Sequence, residues 1–316
     1  MNILITGVAG FIGSHVGEYF INKGHTIVGI DNFDAFVEKK FKLINLENLQ
    51  NKPQFLFYEG DIRDSKLLDL IFTENNIDVV VHLAAKAGVR PSIESITQYY
   101  DVNVNGTVIL LEAMKKNNVR KMIFASSSSV YGNNSKVPFS ELDPVDNPIS
   151  PYASTKKSGE LLCHVYSYLY GFDISCLRFF TVYGPRQRPD LAIHKFTKLI
   201  IQDQPVPFYG DGSTSRDYTY IDDIVKGIDC AVLHLGGYHL YNLGESKVIR
   251  LDELIKVLEE KIGKKACLQK MSAQPGDVDK TFADISRAEM EIGYQPQTDL
   301  ATGIERFIDW YKTNIK

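Results

Sequence analysis

The chain contains few cysteines, and their spacing is not typical of a disulfide-rich protein or of a zinc-binding protein. Its 316 residues include four cysteines, far apart and with no Cys-x-x-Cys pair: Cys163, Cys176, Cys230 and Cys267. Such spacing argues against a disulfide framework and against a cysteine-based zinc site. We therefore expect reduced, mostly buried thiols in a cytoplasmic protein that has no metal centre.

An excess of basic charge and long apolar runs are also lacking. The formal net charge is −4, so the surface is not generally basic and no nucleic-acid partner is expected. No apolar run approaches the roughly 20 residues that a membrane-spanning helix needs. Met1 leads directly into an apolar segment without a charged leader, so no secretion signal is expected.

The first half of the chain alternates short apolar runs with segments of helical spacing. The apolar runs lie at 2–6, 26–30, 55–58, 79–83, 122–125 and 174–178, and the helical segments near 12–23, 65–75, 98–117 and 152–170. Apolar strands that alternate with amphipathic helices predict an α/β fold, with a doubly wound parallel sheet that helices cover on both faces.

The second half is less regular, and prolines at 185, 189, 205, 207, 275 and 296 interrupt it. Helices are expected near 193–202, 222–234, 251–261 and 300–314. This pattern predicts a smaller α/β lobe that covers the carboxyl edge of the sheet. We expect residues 1–177 to form the larger domain, with segments around 213–243 returning to it, and residues 178–316 to form mainly the smaller lobe.

A glycine-rich turn follows the first strand and opens the first helix. Gly7, Gly10 and Gly13 are spaced G-x-x-G-x-x-G, and Phe11 and Ile12 lie between the last two. Glycines permit positive φ and let backbone N–H groups approach phosphates closely. A glycine triplet could also be an ordinary tight turn, but its place after the first strand of a βαβ unit favours dinucleotide binding.

An aspartate ends the second predicted strand, as a dinucleotide site requires. Asp31 lies eighteen residues after Gly13, where a carboxylate can bind both adenosine ribose hydroxyls and repel a 2′-phosphate. We therefore expect NAD rather than NADP; the alternative is a turn aspartate. Asp61 and Ile62 follow the third strand and are placed near the adenine. Ala84 and Ala85 follow the fourth, where small side chains allow close approach to the cofactor.

A tyrosine and a lysine four residues apart form the candidate proton-transfer site. Tyr152 and Lys156 share one face of a predicted helix, and Ser127 follows the fifth strand. A free tyrosine has a pKa of about 10, which a nearby ammonium would lower. Taken alone, the serines could be a polar loop and the Tyr–Lys pair an exposed helical pair. Together with the glycine turn, they predict proton transfer beside a bound dinucleotide.

With these residues the chain resembles the extended short-chain dehydrogenases/reductases, the group of nucleotide-sugar epimerases and dehydratases. The resemblance covers essentially the whole chain and rests on Gly7, Gly10 and Gly13, Asp31, Asp61-Ile62, His82 to Ala85, Asn103 to Thr107, Ser127, Tyr152 and Lys156, Gly210 to Tyr218, and Asp222-Asp223. It implies a Rossmann-type fold, tightly bound NAD and a nucleoside diphosphate sugar held in a smaller substrate-binding lobe.

The same resemblance extends the candidate contacts and suggests an assembly. Further cofactor contacts are Asn32, Leu83, Lys86 and Asn103, together with Tyr152 and Lys156. A homodimer is implied, built from the helices near 98–117 and 152–170. No membrane partner is expected.

The loop after the fifth strand narrows the choice of reaction. Sugar 4,6-dehydratases usually carry an Asp-Glu or Ser-Glu pair in this loop, whereas this chain has Ser128 and Ser129 and no carboxylate there. The fucose-synthase type normally has a cysteine in this loop, which is absent here. The remaining set of Ser127, Tyr152 and NAD suffices for reversible oxidation at C4 of a sugar, with Tyr152 taking the proton from O4.

The segment 178–192 is similar to the corresponding segment of UDP-glucuronate 4-epimerases. UDP-galactose epimerases usually have Tyr-Phe-Asn where this chain has Phe179-Phe180-Thr181. In the stretch Gln274 to Asp277, an arginine that often precedes Gly-Asp is missing, which leaves Arg216 as the main diphosphate candidate. The candidate contacts to the UDP-sugar substrate are Arg90, Ser127, Ser128, Thr181, Arg186, Arg188, Arg216 and Asp277.

We therefore expect NAD-dependent C4 epimerisation of UDP-glucuronate to UDP-galacturonate. Oxidising C4 of a hexuronate gives a β-keto acid that readily loses CO₂, so a UDP-glucuronate decarboxylase is one alternative. Another is a 4-epimerase of UDP-glucose or UDP-N-acetylhexosamine. A third, from a different class, is a non-catalytic NAD-binding sensor.

Overall fold

The computed structural model describes residues 1–271 and 280–315. The strands of this part of the chain are β1 (Asn2–Thr6), β2 (Thr26–Asp31), β3 (Phe55–Glu59), β4 (Val79–His82), β5 (Lys121–Ser127), β6 (Asp173–Phe179), β7 (Thr181–Tyr183), β8 (Val206–Tyr209), β9 (Ser215–Arg216), β10 (Tyr218–Tyr220), β11 (Tyr238–Leu243), β12 (Ile249–Arg250) and β13 (Leu268–Met271).

The helices of the same residues flank these strands. They are α1 (Phe11–Asn22), α2 (Lys39–Gln50), α3 (Ser65–Glu74), α4 (Val89–Glu94), α5 (Ile96–Tyr100), α6 (Gly106–Lys116), α7 (Pro151–Tyr170), α8 (Ala192–Ile201), α9 (Ile221–Leu233), α10 (Leu251–Ile262), α11 (Ser286–Ile292) and α12 (Leu300–Asn314). Among the described residues, no helix is long and apolar enough to cross a membrane.

Seven strands form one parallel sheet in the order β11-β6-β5-β4-β1-β2-β3. The direction of strand succession reverses between β1 and β4, which opens a crevice at the carboxyl edge of the sheet. The expected doubly wound α/β fold is thus confirmed. Three short ribbons, β10-β7, β12-β9 and β13-β8, lie outside the sheet.

The central strands are apolar in their middle residues, and both of their faces are buried. Alternate residues point to opposite faces of the sheet. Ile3, Ile5 and Val81 therefore join one apolar core, and Leu4 and Val80 join the other. This explains why the sequence shows continuous apolar runs rather than alternation.

Helix α7, which carries the candidate catalytic pair, has clear signals at both ends. The Ser150 hydroxyl accepts a hydrogen bond from Ala153 N at 3.1 Å. Pro151 occupies the first turn, where a backbone N–H would have no partner within the helix, so its missing N–H costs no hydrogen bond. Gly171 ends the helix in the left-handed conformation, with φ of 64°. The expected helix over 152–170 matches α7.

Several elements differ from the sequence-based expectation. Helices α4 and α11 and the short strands β7, β8, β9, β10, β12 and β13 are not predicted by the sequence pattern. Helix α2 was not expected, because two of its four buried residues are Lys42 and Asn45, which weaken its apolar stripe. Strand β11 was missed because its first three residues are only partly buried. The expected helix over 98–117 is divided into α5, a π-helical turn at Asp101–Asn105 and α6. The domain boundary at residue 177 remains a prediction.

Candidate active site

A cavity of about 560 Å³ lies at the carboxyl edge of the sheet. Most of the residues singled out from the sequence line it together. They are Gly7, Gly10, Phe11, Ile12, Gly13, Asp31, Asn32, Asp61, Ile62, Leu83, Ala84, Ala85, Lys86, Ser127, Ser128, Tyr152, Lys156, Thr181, Arg188 and Arg216. The fold therefore brings the candidate cofactor, catalytic and sugar contacts into one space.

Three expected contacts lie outside this lining, within the part of the chain that the structure describes. Asn103 bonds to both backbone groups of Lys86, at 2.8 and 3.0 Å, and to Thr155, so it supports the loop after β4. Arg90 lies at an exposed position of α4. Arg186 bonds to Ser14 and pairs with Glu18, both on α1. Asp277 lies outside the described residues.

The glycine turn packs too closely for larger side chains. Gly7 has a φ of 72°, and a Cβ there would lie 2.9 Å from the backbone of Ala84. A Cβ on Gly13 would lie 2.3 Å from the Gly7 carbonyl oxygen. These contacts hold the amino end of α1 at the cavity, where its unpaired N–H groups can receive a pyrophosphate.

Asp31 is held in one orientation by neighbours that the sequence pattern did not reveal. Its carboxylate accepts hydrogen bonds from Ala9 N at 3.1 Å and Phe33 N at 2.8 Å, and pairs with Lys42 Nζ at 3.1 Å. Lys42 is buried, lines the cavity and comes from α2. Sequence reasoning missed Lys42 because it missed that helix.

A neutral histidine ties the ends of β1 and β4 together behind the cavity. His82 Nδ1 lies 2.7 Å from Thr6 Oγ1, and Nε2 lies 3.1 Å from Thr107 Oγ1. Burial, helped by the charge of Lys156, lowers the pKa of His82 to about 3. The Thr6 hydroxyl also accepts hydrogen bonds from Leu83 N and Ala84 N, which fixes the backbone beside the cofactor site.

Lys156 is almost completely buried beneath the cavity floor. Its Nζ donates a hydrogen bond to Ala125 O at 2.7 Å and lies 5.9 Å from the centre of the Tyr152 ring. Burial lowers the pKa of Lys156 to about 8, while Cys163 and Glu160 act in the opposite direction. Near neutral pH the ammonium form therefore predominates.

The phenol of Tyr152 lines the cavity together with Ser127. Burial raises the pKa of Tyr152 above its ordinary value, and the Ser127 hydroxyl and the charge of Arg188 only partly oppose that effect. The expected lowering by Lys156 is not found in the protein alone, where the ammonium bonds to the Ala125 carbonyl instead. Ser127 Oγ in turn accepts hydrogen bonds from Ser129 N and Ser129 Oγ.

A buried ion pair lies one helical turn below Lys156. Glu160 is fully buried and accepts bonds from Arg178 Nε at 2.8 Å and Nη2 at 2.9 Å. Its Oε1 also accepts the Ser126 hydroxyl at 2.6 Å, and Arg178 Nη1 donates to Tyr131 OH at 3.0 Å. The pair therefore links α7 to β5, β6 and the turn after the serines. Sequence reasoning missed it, although Glu160 continues the i, i+4 series of Tyr152 and Lys156.

We expect Glu160→Ala to lower the free energy of unfolding by about 3–5 kcal/mol, because Arg178 would keep a buried and uncompensated charge. Urea unfolding followed by far-ultraviolet circular dichroism measures the change. The matched control is Asp69→Ala, which breaks the largely exposed pair of Asp69 and Lys116. An equally small effect of both substitutions would contradict the structural role assigned to Glu160.

Known proteins are similar to this chain over nearly its whole length. The sequence profile of the GDP-mannose 4,6 dehydratase family matches residues 4–307. A UDP-glucuronate 4-epimerase of Thermodesulfobacterium geofontis is 44% identical over 314 residues, which cover 99% of this chain and 97% of that protein.

Solved structures agree over the full length. The UDP-glucuronic acid 4-epimerase of Bacillus cereus, in complex with UDP-glucuronic acid and NAD, has a TM-score of 0.93 and 40% identity, with 99% of each chain covered. The UDP-glucose 4-epimerase of Thermotoga maritima, with UDP-glucose, has a TM-score of 0.92 and 33% identity, with 100% of each chain covered. The chain therefore belongs to the GDP-mannose 4,6 dehydratase family of extended short-chain dehydrogenases/reductases.

Proposed function

We propose that the protein is an NAD-dependent 4-epimerase that interconverts UDP-glucuronate and UDP-galacturonate. The observation that carries the proposal is one cavity that holds Ser127, Tyr152 and Lys156 together with Arg188 and Thr181. The first three residues serve oxidation at C4, and the last two suit a sugar carboxylate. The named relatives from Thermodesulfobacterium geofontis and Bacillus cereus support the same reaction.

The residues around the glycine turn fit NAD. The amino end of α1 can receive the pyrophosphate, and the fixed carboxylate of Asp31 can accept hydrogen bonds from the ribose hydroxyls. Lys42 keeps that carboxylate paired and oriented. A dinucleotide held by these residues would supply the acceptor for the C4 hydride and would give it back within the same turnover, so the net reaction would be redox neutral.

Tyr152 is proposed to remove the proton from O4, and Ser127 to hydrogen-bond the same oxygen. Because burial raises the pKa of Tyr152, the free phenol stays protonated at neutral pH. It becomes an effective base only when additional positive charge enters the cavity, beyond what Arg188 supplies. Lys156 holds the floor of the site through Ala125 O and presents an ammonium below the phenol ring.

The neighbouring serines argue against dehydration. Elimination of water needs an acid and a base beside the reacting carbon. In the cavity lining the corresponding positions are Ser128 and Ser129, and neither of these side chains is a carboxylate. The residues present therefore suit an epimerase, in which the 4-keto sugar rotates in the site and hydride returns to its opposite face.

Two alternatives remain to be separated by product analysis. A UDP-glucose 4-epimerase is favoured by the likeness to the Thermotoga maritima enzyme. However, Arg188 and Thr181 both line the cavity, and a guanidinium is suited to a carboxylate rather than to a hydroxymethyl group. A decarboxylase would yield a UDP-pentose. Incubation with UDP-glucuronate and, in parallel, with UDP-glucose, followed by separation of the products by NMR, distinguishes the three reactions.

We expect Tyr152→Phe to lower kcat by at least ~100-fold while NAD and UDP-sugar still bind, because only the proton-accepting oxygen is lost. Turnover is measured by NMR and sugar binding by calorimetry. Tyr99→Phe is the matched control, since the Tyr99 ring packs against Tyr152 but its hydroxyl bonds to Ala87 O. Near-normal turnover of Tyr152→Phe would remove Tyr152 from the mechanism.

We expect Arg188→Ala to lose about 2–4 kcal/mol of transition-state binding for UDP-glucuronate, because a charge-assisted pair with the carboxylate is removed. UDP-glucose carries no such group, so its weaker reaction should change little. The measurement is kcat/KM for both sugars in both proteins. An equal loss for both sugars would assign Arg188 to the diphosphate or to the fold.

A homodimer is proposed from the exposed face of α7. Leu161, Val165, Tyr168 and Leu169 recur at helical spacing on one stripe, and all are exposed, Tyr168 to 82%. An exposed apolar stripe of this kind typically lies in a protein interface, and in a two-fold dimer the same stripe of the second copy packs against it. Tyr100 on α5, whose hydroxyl lies 2.7 Å from Ser154 Oγ of α7, is also exposed.

We expect Leu169→Glu to shift the protein from dimer to monomer, because the substitution places a charge in the proposed interface. Sedimentation velocity at several concentrations measures the change. Leu233→Glu on α9 is the control, since Leu233 is similarly exposed but lies on another helix. A wild type that is monomeric at every concentration would contradict the proposed dimer.

A cytoplasmic location is proposed from the cysteine chemistry. All four cysteines are free thiols, and Cys163 and Cys176 are buried. Free thiols persist in reducing compartments, where structural disulfides are rare.

A further inference from the structure

The guanidinium of Arg188 is bound on one edge by an aspartate two residues later. Arg188 Nε lies 3.0 Å from Asp190 Oδ1, and Nη2 lies 2.8 Å from Oδ2. The ring of Phe36 lies against the guanidinium, 5.1 Å from its central carbon. Arg188 lines the main cavity, whereas Asp190 is not among the described residues that line it.

The backbone that carries both residues is anchored on two sides. His15 bonds to Pro185 O at 2.9 Å, and the Arg186 side chain pairs with Glu18, so α1 holds the start of the loop. His194 bonds to Gln187 O at 2.6 Å, so α8 holds its centre. With the backbone fixed in this way, the position of the Arg188 guanidinium depends on its side-chain partners.

Because a guanidinium has two donor edges, the Asp190 contact leaves one defined edge of Arg188 for another ligand. Arginine has five N–H donors in a planar fork, with two edges that can each bind a carboxylate bidentately. Asp190 occupies the Nε/Nη2 edge, which leaves both hydrogens of Nη1 and one of Nη2 for a second anion. A carboxylate at the Nη1/Nη2 edge would therefore meet a donor pair that is already oriented.

We propose that Asp190 is a positioning residue for substrate specificity, which holds Arg188 so that its Nη1/Nη2 edge receives the sugar carboxylate. The inference rests on the proposed UDP-glucuronate epimerase function and adds a residue to it. Asp190 would act only through Arg188 and would not touch the sugar.

Orientation of the carboxylate matters because of the chemistry of the oxidised sugar. In the 4-keto uronate, the C5–C6 bond can break with its electron pair moving into the enolate of the C4 ketone, which releases CO₂. Protonation at C5 then gives a 4-keto pentose, and return of hydride gives a UDP-pentose. The bond breaks readily only when it is aligned with the ketone π system. A guanidinium that has lost its positioning partner would hold the carboxylate less firmly against that alignment.

Asp190→Asn tests this proposal with almost no change in shape. We expect a roughly tenfold lower kcat/KM for UDP-glucuronate, an unchanged kcat/KM for UDP-glucose and a larger fraction of UDP-pentose among the products. Asp190→Glu should restore part of the loss because it keeps a carboxylate. In the Arg188→Ala background, Asp190→Asn should have no further effect on UDP-glucuronate, since residues that act as one unit are not additive.

The matched control is Asp203→Asn, which alters an exposed aspartate that is paired with Lys264 at 2.7 Å. It should leave both sugars unaffected. Equal losses for both sugars in Asp190→Asn would make Asp190 a structural residue and overturn the proposal. A higher kcat/KM for UDP-glucuronate without more UDP-pentose would make it a competitor for Arg188, and values equal to wild type would make it irrelevant.

The failure of the inference is distinguishable from failure of the function. A wild type that does not epimerise UDP-glucuronate contradicts the proposed function. A wild type that does, with a uronate-selective loss in Arg188→Ala but none in Asp190→Asn, overturns the role of Asp190 alone. A wild type that epimerises the uronate without any selective loss in Arg188→Ala also overturns the role of Asp190.

Discussion

The buried pair of Glu160 and Arg178 is the constraint on which the catalytic geometry depends. Glu160 lies on the same face of α7 as Tyr152 and Lys156, so a shift of this helix along the sheet would move all three. The pair and the Ser126 hydroxyl fix that helix against β5 and β6. Burying two charges is unfavourable unless every donor and acceptor is matched, and here the matching partners come from the segments that carry the site.

Enclosure of the site sets the protonation states of its titratable side chains in the free protein. Burial holds His82 neutral and lowers the pKa of Lys156, while it raises the pKa of Tyr152. The same low-polarity surroundings that make the free phenol a poor base also make it responsive, because a nearby charge acts more strongly where water is excluded. We therefore expect the pKa of the Tyr152 phenol to respond to charge that enters the cavity, since the Lys156 ammonium is bonded to the backbone of β5.

The features that the sequence predicted are those encoded locally. The glycine turn, Asp31 after β2 and the i, i+4 pair of Tyr152 and Lys156 each depend on short-range geometry, and the fold brings them to one edge of the sheet. Lys42, Glu160 and Asp190 were missed for a different reason. Their importance arises from partners supplied by packing or from side-chain pairing, and α2 shows too weak an apolar stripe to be recognised.

The expectation for Arg186 shows how packing decides between neighbouring candidates. Arg186 and Arg188 are two residues apart in a proline-bounded loop, and composition alone treats them alike. Arg186 has a φ of 65° and pairs with Glu18, whereas Arg188 lines the cavity. Because Glu18 belongs to the helix whose first turn faces the proposed pyrophosphate site, the loop proposed to recognise the sugar is attached to the element proposed to bind the cofactor. A displacement of α1 would therefore act on the backbone of the loop that carries Arg188, so the two proposed binding sites share one support.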